Sequence, residues 1–200
     1  MVRNEQDWLG FVVVYTAARL GLLLSLVLLG AFSGAVLFPS VITFLPYSMI
    51  DVKNFFAEPT VKSVIATLVI CLFYAWVFYD DARKHTAYEE WSLTNILIVL
   101  ILIGVLYFIP AIFRDSFNEE GKGEIFYKVL YYPAGWVIRA VGDNYLIGVL
   151  VSISVMLGTA LGAYIISYRS YVKKHPVLLG RNRQIAADDG VGNEGADEDE

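Results

Sequence analysis

Four long apolar runs, at residues 8–30, 61–79, 91–112 and 145–168, constrain the fold more than any other feature of this sequence. A helix needs roughly 20 residues to cross a hydrocarbon core of about 30 Å. Backbone polar groups find no water there, and the runs lack the alternating pattern of a membrane barrel. The sequence therefore predicts an all-α integral membrane four-helix bundle.

Composition supports a membrane location for most of the chain. Hydrophobic residues make up 57% of the 200 residues and charged residues only 18%, which is too apolar for a soluble domain of this length. We expect one transmembrane domain at residues 1–172, placed in the cell membrane as a multi-pass protein. The lipid bilayer is its expected partner, and nucleic acid is not.

The last segment, residues 173–200, has a different character. It begins with basic residues and ends with seven of the twenty acidic residues of the chain. Its final part holds too little apolar surface to offset the entropy lost on ordering. The composition predicts a disordered tail, and such an acidic tail would suit a salt-adapted, haloarchaeal source.

Lysine and arginine near the ends of spans predict the orientation of the protein. The segment after the fourth run carries Arg169, Lys173, Lys174, Arg181 and Arg183. Basic residues close to a span favour the cytoplasmic side. With four spans, we expect both the amino and the carboxyl terminus to be cytoplasmic.

Arg19 is the one charged residue that could lie deep inside a predicted span. If the span covers residues 8–30, Arg19 lies near the bilayer centre, at a cost of about 2.5 to 3.5 kcal/mol, and would mark an anion, headgroup or pathway site. If the span slides to residues 20–38, Arg19 reaches the cytoplasmic surface. The sequence favours the second placement.

A cleaved signal peptide is a further alternative for the first run, with residues 20–29 as its apolar core. The apolar run begins before this core and continues past it, and cleavage would leave three spans. A membrane span is therefore the favoured interpretation.

The two outer loops carry apolar residues at helical spacing. In the first loop Leu45, Met49, Val52 and Phe56 share a face, and Pro46 can begin a helix. The second loop repeats the pattern on both sides of Pro133. We predict interfacial amphipathic helices in both loops. Their aromatic residues form a candidate external interface, or simply anchor the loops at the membrane: Phe44, Tyr47, Phe55, Phe56, Tyr131, Tyr132 and Trp136.

Two pairs of glycines lie four residues apart, Gly30 with Gly34 and Gly158 with Gly162. This spacing puts both glycines of a pair on one helix face and lets two backbones approach closely. We predict helix packing at both pairs, either between the first and fourth helices of one chain or between chains.

The loop between the second and third runs is rich in ionisable groups. Asp80, Asp81, His85, Glu89 and Glu90 fall within eleven residues. Carboxylates with a histidine can bind a metal or transfer protons. The spacing matches no ligand pattern, however, and a solvated turn also requires polar residues. We favour the turn and predict no metal and no cofactor.

No catalytic motif is visible, so we do not expect an enzyme. Apart from Arg19 and Lys62, the second residue of the second run, the predicted spans hold no Asp, Glu, Lys or His. Proton-coupled transport usually needs a buried acid, which weakens that class of function. The favoured function is a small structural or accessory subunit, in a homo-oligomer or a larger membrane complex. The alternative is a small transporter or channel component with Arg19 near its pathway.

Overall fold

The computed structural model describes residues 5–87, 93–114, 124–142 and 144–174. These residues are almost entirely helical and include no strand. The predicted disordered tail, apart from its first two residues, lies outside the described residues. The part of the loop between the second and third runs that holds Glu89 and Glu90 also lies outside the described residues.

Eight α-helices follow one another along the described chain. They are α1 (Glu5–Phe32), α2 (Phe38–Thr43), α3 (Ile50–Ala57), α4 (Pro59–Ala87), α5 (Leu93–Ile112), α6 (Glu124–Leu130), α7 (Gly135–Ala140) and α8 (Tyr145–Lys174). A π-helical turn at Ser33–Leu37 joins α1 to α2 without interruption, and 3₁₀ turns precede α3 and α7. The predicted all-α fold is confirmed at this level.

In the described parts of the chain, four helical segments are long and apolar enough to span a membrane, and they extend beyond three of the four predicted runs. They cover Leu9–Thr43, Pro59–Thr86, Leu93–Ile112 and Tyr145–Lys174. We ended the second and fourth runs where charged residues begin. Helices continue through such residues when one face stays packed on the bundle, which is the case for α4.

The four spanning segments run alternately up and down. The ends at Glu5, Ala87, Leu93 and Lys174 form what we call the terminal end of the bundle. The opposite, distal end holds Thr43, Pro59, Ile112 and Tyr145, together with α3, α6 and α7.

The core lies along the axis of the bundle, where each spanning helix contributes one stripe. Ile70, Tyr74 and Phe78 recur every four residues on α4 and are fully buried. Large apolar side chains on the other faces remain exposed, among them Leu28, Leu72, Trp76, Ile101 and Ile166. Only a third of the residues in the most apolar stretch of each spanning segment are buried. This pattern suits helices that face one another on one side and lipid on the other.

The two distal segments differ in burial. Met49 and Val52, on the predicted apolar face of the first loop, are exposed, as an interfacial helix requires. The second segment instead packs into the bundle, where Tyr127, Tyr131, Pro133 and Val137 are buried. The structure therefore does not show α6 or α7 as surface helices. Contact of α3 with a membrane surface stays a prediction.

Candidate functional site

Arg19 forms an ion pair within the bundle. Its Nη2 atom donates a hydrogen bond to Asp81 Oδ1 across 2.7 Å, joining α1 to α4. The side chains of Arg19 and Asp81 are 22% and 7% exposed. The guanidinium therefore turns toward α4, where a carboxylate neutralises it.

Asp81 is a buried acid that our interpretation of the sequence missed. We placed it in a solvated turn, but α4 continues as a helix to Ala87. Asp81 lies seven residues after Tyr74, so both occupy the same buried face of α4. The neighbouring Asp80 faces outward and pairs with Lys84 across 2.6 Å. The statement that the spans hold no acid was therefore wrong, and the seven-residue spacing was the signal that could have found Asp81.

Tyr15 completes the coordination of the Asp81 carboxylate. Its hydroxyl donates to Oδ2 across 2.5 Å, so each carboxylate oxygen accepts a hydrogen bond. The guanidinium carbon of Arg19 also lies 4.9 Å from the centre of the Tyr15 ring. Because Tyr15 and Arg19 are four residues apart on α1, one helix face presents both donors to Asp81.

Further titratable groups extend this cluster toward the terminal end. The rings of Tyr15 and His85 are 5.5 Å apart, edge to face. The His85 Nδ1 atom lies 3.4 Å from the Tyr164 hydroxyl on α8. The cluster of Tyr15, Arg19, Asp81, His85 and Tyr164 thus connects three of the four spanning helices, and we call it the ion-pair cluster.

The cluster resembles a packing element more than a metal centre. Within the described part of the chain, no group of three or more His, Cys, Asp or Glu residues could hold a metal ion. An isolated charge in apolar surroundings is costly, whereas a paired and hydrogen-bonded charge is tolerated. The arrangement can hold α1 in a fixed register against α4, or relay a proton between its carboxylate, hydroxyl and imidazole groups.

The predicted glycine pairs have different surroundings. A Cβ added to Gly30 would lie 2.9 Å from the Ala66 carbonyl oxygen, and one added to Gly34 would lie 2.5 Å from that of Lys62. Both glycines therefore allow the first spanning segment to approach α4, rather than the fourth span. A Cβ at Gly158 or Gly162 meets nothing within 4 Å. Gly158 lines an open apolar groove of about 420 Å³ between α5 and α8.

The predicted external aromatic set is divided by the structure. Phe44 and Tyr47 are 88% and 83% exposed, and Phe55 is also exposed, while Phe56 packs against Phe38. Tyr131, in contrast, is only 3% exposed. It cannot belong to an exposed surface, because its segment is inserted between the spans.

Hydroxyl groups on α4 hold the segment from α6 to α7, residues 124–140, in place, and we call it the inserted segment. The Thr67 hydroxyl donates to the Pro133 carbonyl across 2.8 Å and accepts from the Trp136 indole N–H across 3.1 Å. Ser63 donates to the Tyr132 carbonyl across 2.9 Å and accepts from the Trp136 backbone N–H. The predicted interface residues Tyr132 and Trp136 are thus tied to α4 and half-buried.

Two tyrosines link α5 to the inserted segment. Tyr107 donates to the Leu130 carbonyl across 2.5 Å, and Tyr131 donates back to the Tyr107 carbonyl across 2.8 Å. Burial raises the pKa of the Tyr131 phenol above its ordinary value, so it remains a neutral donor.

No family model matches the chain, nor does any curated protein or solved structure.

Proposed function

We propose that this chain is a small, non-enzymatic structural or accessory subunit of a membrane complex. The observation that carries the proposal is the internal neutralisation of Arg19 by Asp81 at 2.7 Å. The charge of Arg19, which suggested a pathway in the sequence, is neutralised by a carboxylate of the same bundle.

The geometry of the pair favours a fixed joint between helices. A side chain that passes ions or protons must exchange partners during each cycle. Here both oxygens of Asp81 already accept hydrogen bonds, and the carboxylate is almost completely buried. Such a pair keeps α1 and α4 in one register, which is what a scaffold for other subunits needs.

Bonds at the distal end support the same proposal. Ser63 and Thr67 bind the inserted segment to α4, and Tyr107 binds it to α5. Hydrogen bonds between helices are favourable in lipid because no water competes for the polar groups. Polar side chains at both ends of the bundle are therefore used to join one element to another.

Co-purification from native membranes tests this proposal. The full-length tagged protein is isolated in mild detergent, beside a variant that replaces three residues of the ion-pair cluster: Tyr15→Phe, Arg19→Met and Asp81→Leu. We expect a different membrane protein in stoichiometric amount with both forms, identified by mass spectrometry. A preparation that contains only copies of this chain contradicts a scaffolding role.

A small proton-coupled transporter or channel component is the second candidate. It is favoured by the buried Asp81 carboxylate, with the titratable His85 and Tyr164 placed between it and the terminal end. Purified protein in liposomes, loaded with a pH-sensitive dye, tests this function. Proton flux with the wild type and none with the variant lacking the cluster would establish it, and equal leakage from both would exclude it.

We also propose that the protein lies in the cell membrane with its terminal end toward the cytoplasm. Arg169, Lys173 and Lys174 at the end of α8 support this orientation. In a Cys71→Ser background, a membrane-impermeant maleimide should label Phe44→Cys in intact cells and should not label Lys173→Cys. The opposite labelling pattern would reverse the orientation.

A further inference from the structure

A cleft opens at the distal end between α4, α6, α7 and α8. It encloses about 400 Å³, and its lining includes Arg114, Lys128, Arg139 and Tyr145. We call it the cationic cleft. It lies far from the ion-pair cluster, and no hydrogen bond described above involves its cations.

The charges that line the cleft do not cancel. Lys128 is paired with Glu124 across 2.6 Å, and this hydrogen bond lowers the pKa of the Glu124 carboxyl below its ordinary value. That pair is neutral as a unit. Arg114 and Arg139 have no carboxylate partner within the described parts of the chain. Two positive charges therefore remain.

Both guanidinium groups are positioned by uncharged neighbours. Arg139 Nη1 donates to Thr60 Oγ1 across 3.0 Å. The guanidinium carbon of Arg114 lies 4.1 Å from the centre of the Tyr145 ring. These contacts orient the guanidiniums without neutralising them, and a guanidinium has five N–H donors, most of which stay available.

Two other features favour an anion at the same place. Pro59 begins α4 and Tyr145 begins α8, and both residues line the cleft, so the positive ends of two long helix dipoles meet there. The Tyr145 hydroxyl is buried and has no hydrogen-bond partner among the residues that the structure describes. A buried hydroxyl without a partner, beside two cations that have no carboxylate partner among the described residues, is suited to an oxyanion.

We propose that the cationic cleft binds a phosphate group. Guanidinium groups recognise phosphate through parallel hydrogen bonds, and helix amino termini supply further positive potential. The position favours the phosphate of a lipid headgroup, because the cleft lies where α4 and α8 begin and α5 ends. Free phosphate offers the same chemistry, and the test distinguishes the two sources.

The test uses delipidated full-length protein in a non-ionic detergent at fixed ionic strength. Binding of short-chain phosphatidylglycerol and of inorganic phosphate is followed by calorimetry, and phosphatidylcholine serves as the zwitterionic reference. We expect phosphatidylglycerol to bind and phosphatidylcholine to bind at least tenfold more weakly. If phosphate binds and displaces the lipid, the site accepts the free ion; if it does not, the site requires a lipid.

Variants locate the binding within the cleft. Arg114→Gln with Arg139→Gln should weaken phosphatidylglycerol binding by about 100-fold, since each charge-assisted bond contributes about tenfold or more. Glutamine keeps a long polar side chain at both positions, which protects the fold. Tyr145→Phe removes only the hydroxyl and should weaken binding by about fivefold.

Lys53→Gln is the matched control, because Lys53 is a cation at the same end of the bundle and its Nζ contacts the Thr43 carbonyl instead of the cleft. Its effect should stay within about twofold. Equal losses for Lys53→Gln and the double arginine variant would reduce the effect to general charge attraction. That result, unchanged binding in the double variant, or no binding of either probe would overturn the proposal.

Discussion

The two ends of the bundle use charge in opposite ways. At the terminal end Arg19 meets Asp81 across 2.7 Å, and the charges cancel inside the protein. At the distal end Arg114 and Arg139 stay without a carboxylate partner in the described chain, while hydroxyls and glycines provide the helix contacts. A charge that is buried and cancelled serves the fold, whereas a charge that lines a cleft without an acidic partner is available to a ligand.

This difference separates structural from ligand-binding residues without reference to any relative. Changes at the terminal pair should alter stability, because a buried charge that loses its partner is strongly unfavourable. Changes at the distal cations should alter binding and leave stability almost intact. The following predictions test the two halves of that comparison.

The largest effect is expected when one member of the Arg19–Asp81 ion pair is replaced. Arg19→Met or Asp81→Leu should lower the free energy of unfolding by about 3 to 5 kcal/mol, since each leaves a buried charge without a partner. Denaturant titration in mixed micelles, monitored by circular dichroism, measures the loss. Asp80→Asn, on the exposed side of the same helix, is the control and should leave the unfolding midpoint unchanged.

The next effect concerns the close approach of α1 to α4. Gly34→Ala should destabilise the protein by about 2 to 3 kcal/mol, because the new methyl group would meet the Lys62 carbonyl oxygen and force the helices apart. Gly158→Ala is the matched control: its methyl group has free space, and alanine favours a helix by about 0.5 to 1 kcal/mol. Equal destabilisation by both changes would contradict the assigned packing.

A smaller effect is expected where α4 holds the inserted segment. Ser63→Ala should cost about 1 to 2 kcal/mol, because the Trp136 backbone N–H and the Tyr132 carbonyl lose their partner. Thermal unfolding in detergent is the measurement. Ser154→Ala is a suitable control, since the Ser154 hydroxyl only contacts a carbonyl of its own helix. If the two substitutions cost the same, the segment is not held by α4.

The smallest effect is expected at the exposed distal aromatics. Phe44→Ala with Tyr47→Ala should change stability by less than about 0.5 kcal/mol, since both side chains are almost fully exposed. If the pair forms an external interface, the double variant should instead lose a co-purified partner. A marked loss of stability would show that these rings support the fold.

Hydropathy alone predicted the four spans, because long apolar runs have few alternatives in lipid. It did not predict their ends. The second span was ended at Tyr79, yet α4 continues for two more turns. Hydropathy averages over all faces of a helix and therefore ignores that Asp81 faces the core while Asp80 faces outward.

The candidate site was predicted only in part. Arg19 was identified from its position in an apolar run, but its partner lies 62 residues away in the sequence. The cationic cleft was missed because its residues come from four separate segments, and no local pattern relates them. The burial of Tyr131 was missed for a similar reason, since aromatic residues beside a proline are equally typical of surface turns and of inserted segments.

The central claim is that Arg19 and Asp81 act as one structural unit, and a double-mutant cycle tests it most directly. Unfolding free energies are measured for the wild type, Arg19→Met, Asp81→Leu and the double variant in the same micelles. We predict a coupling energy of at least about 3 kcal/mol, with the double variant no less stable than either single variant. Additive losses, with coupling below about 0.5 kcal/mol, would contradict the account.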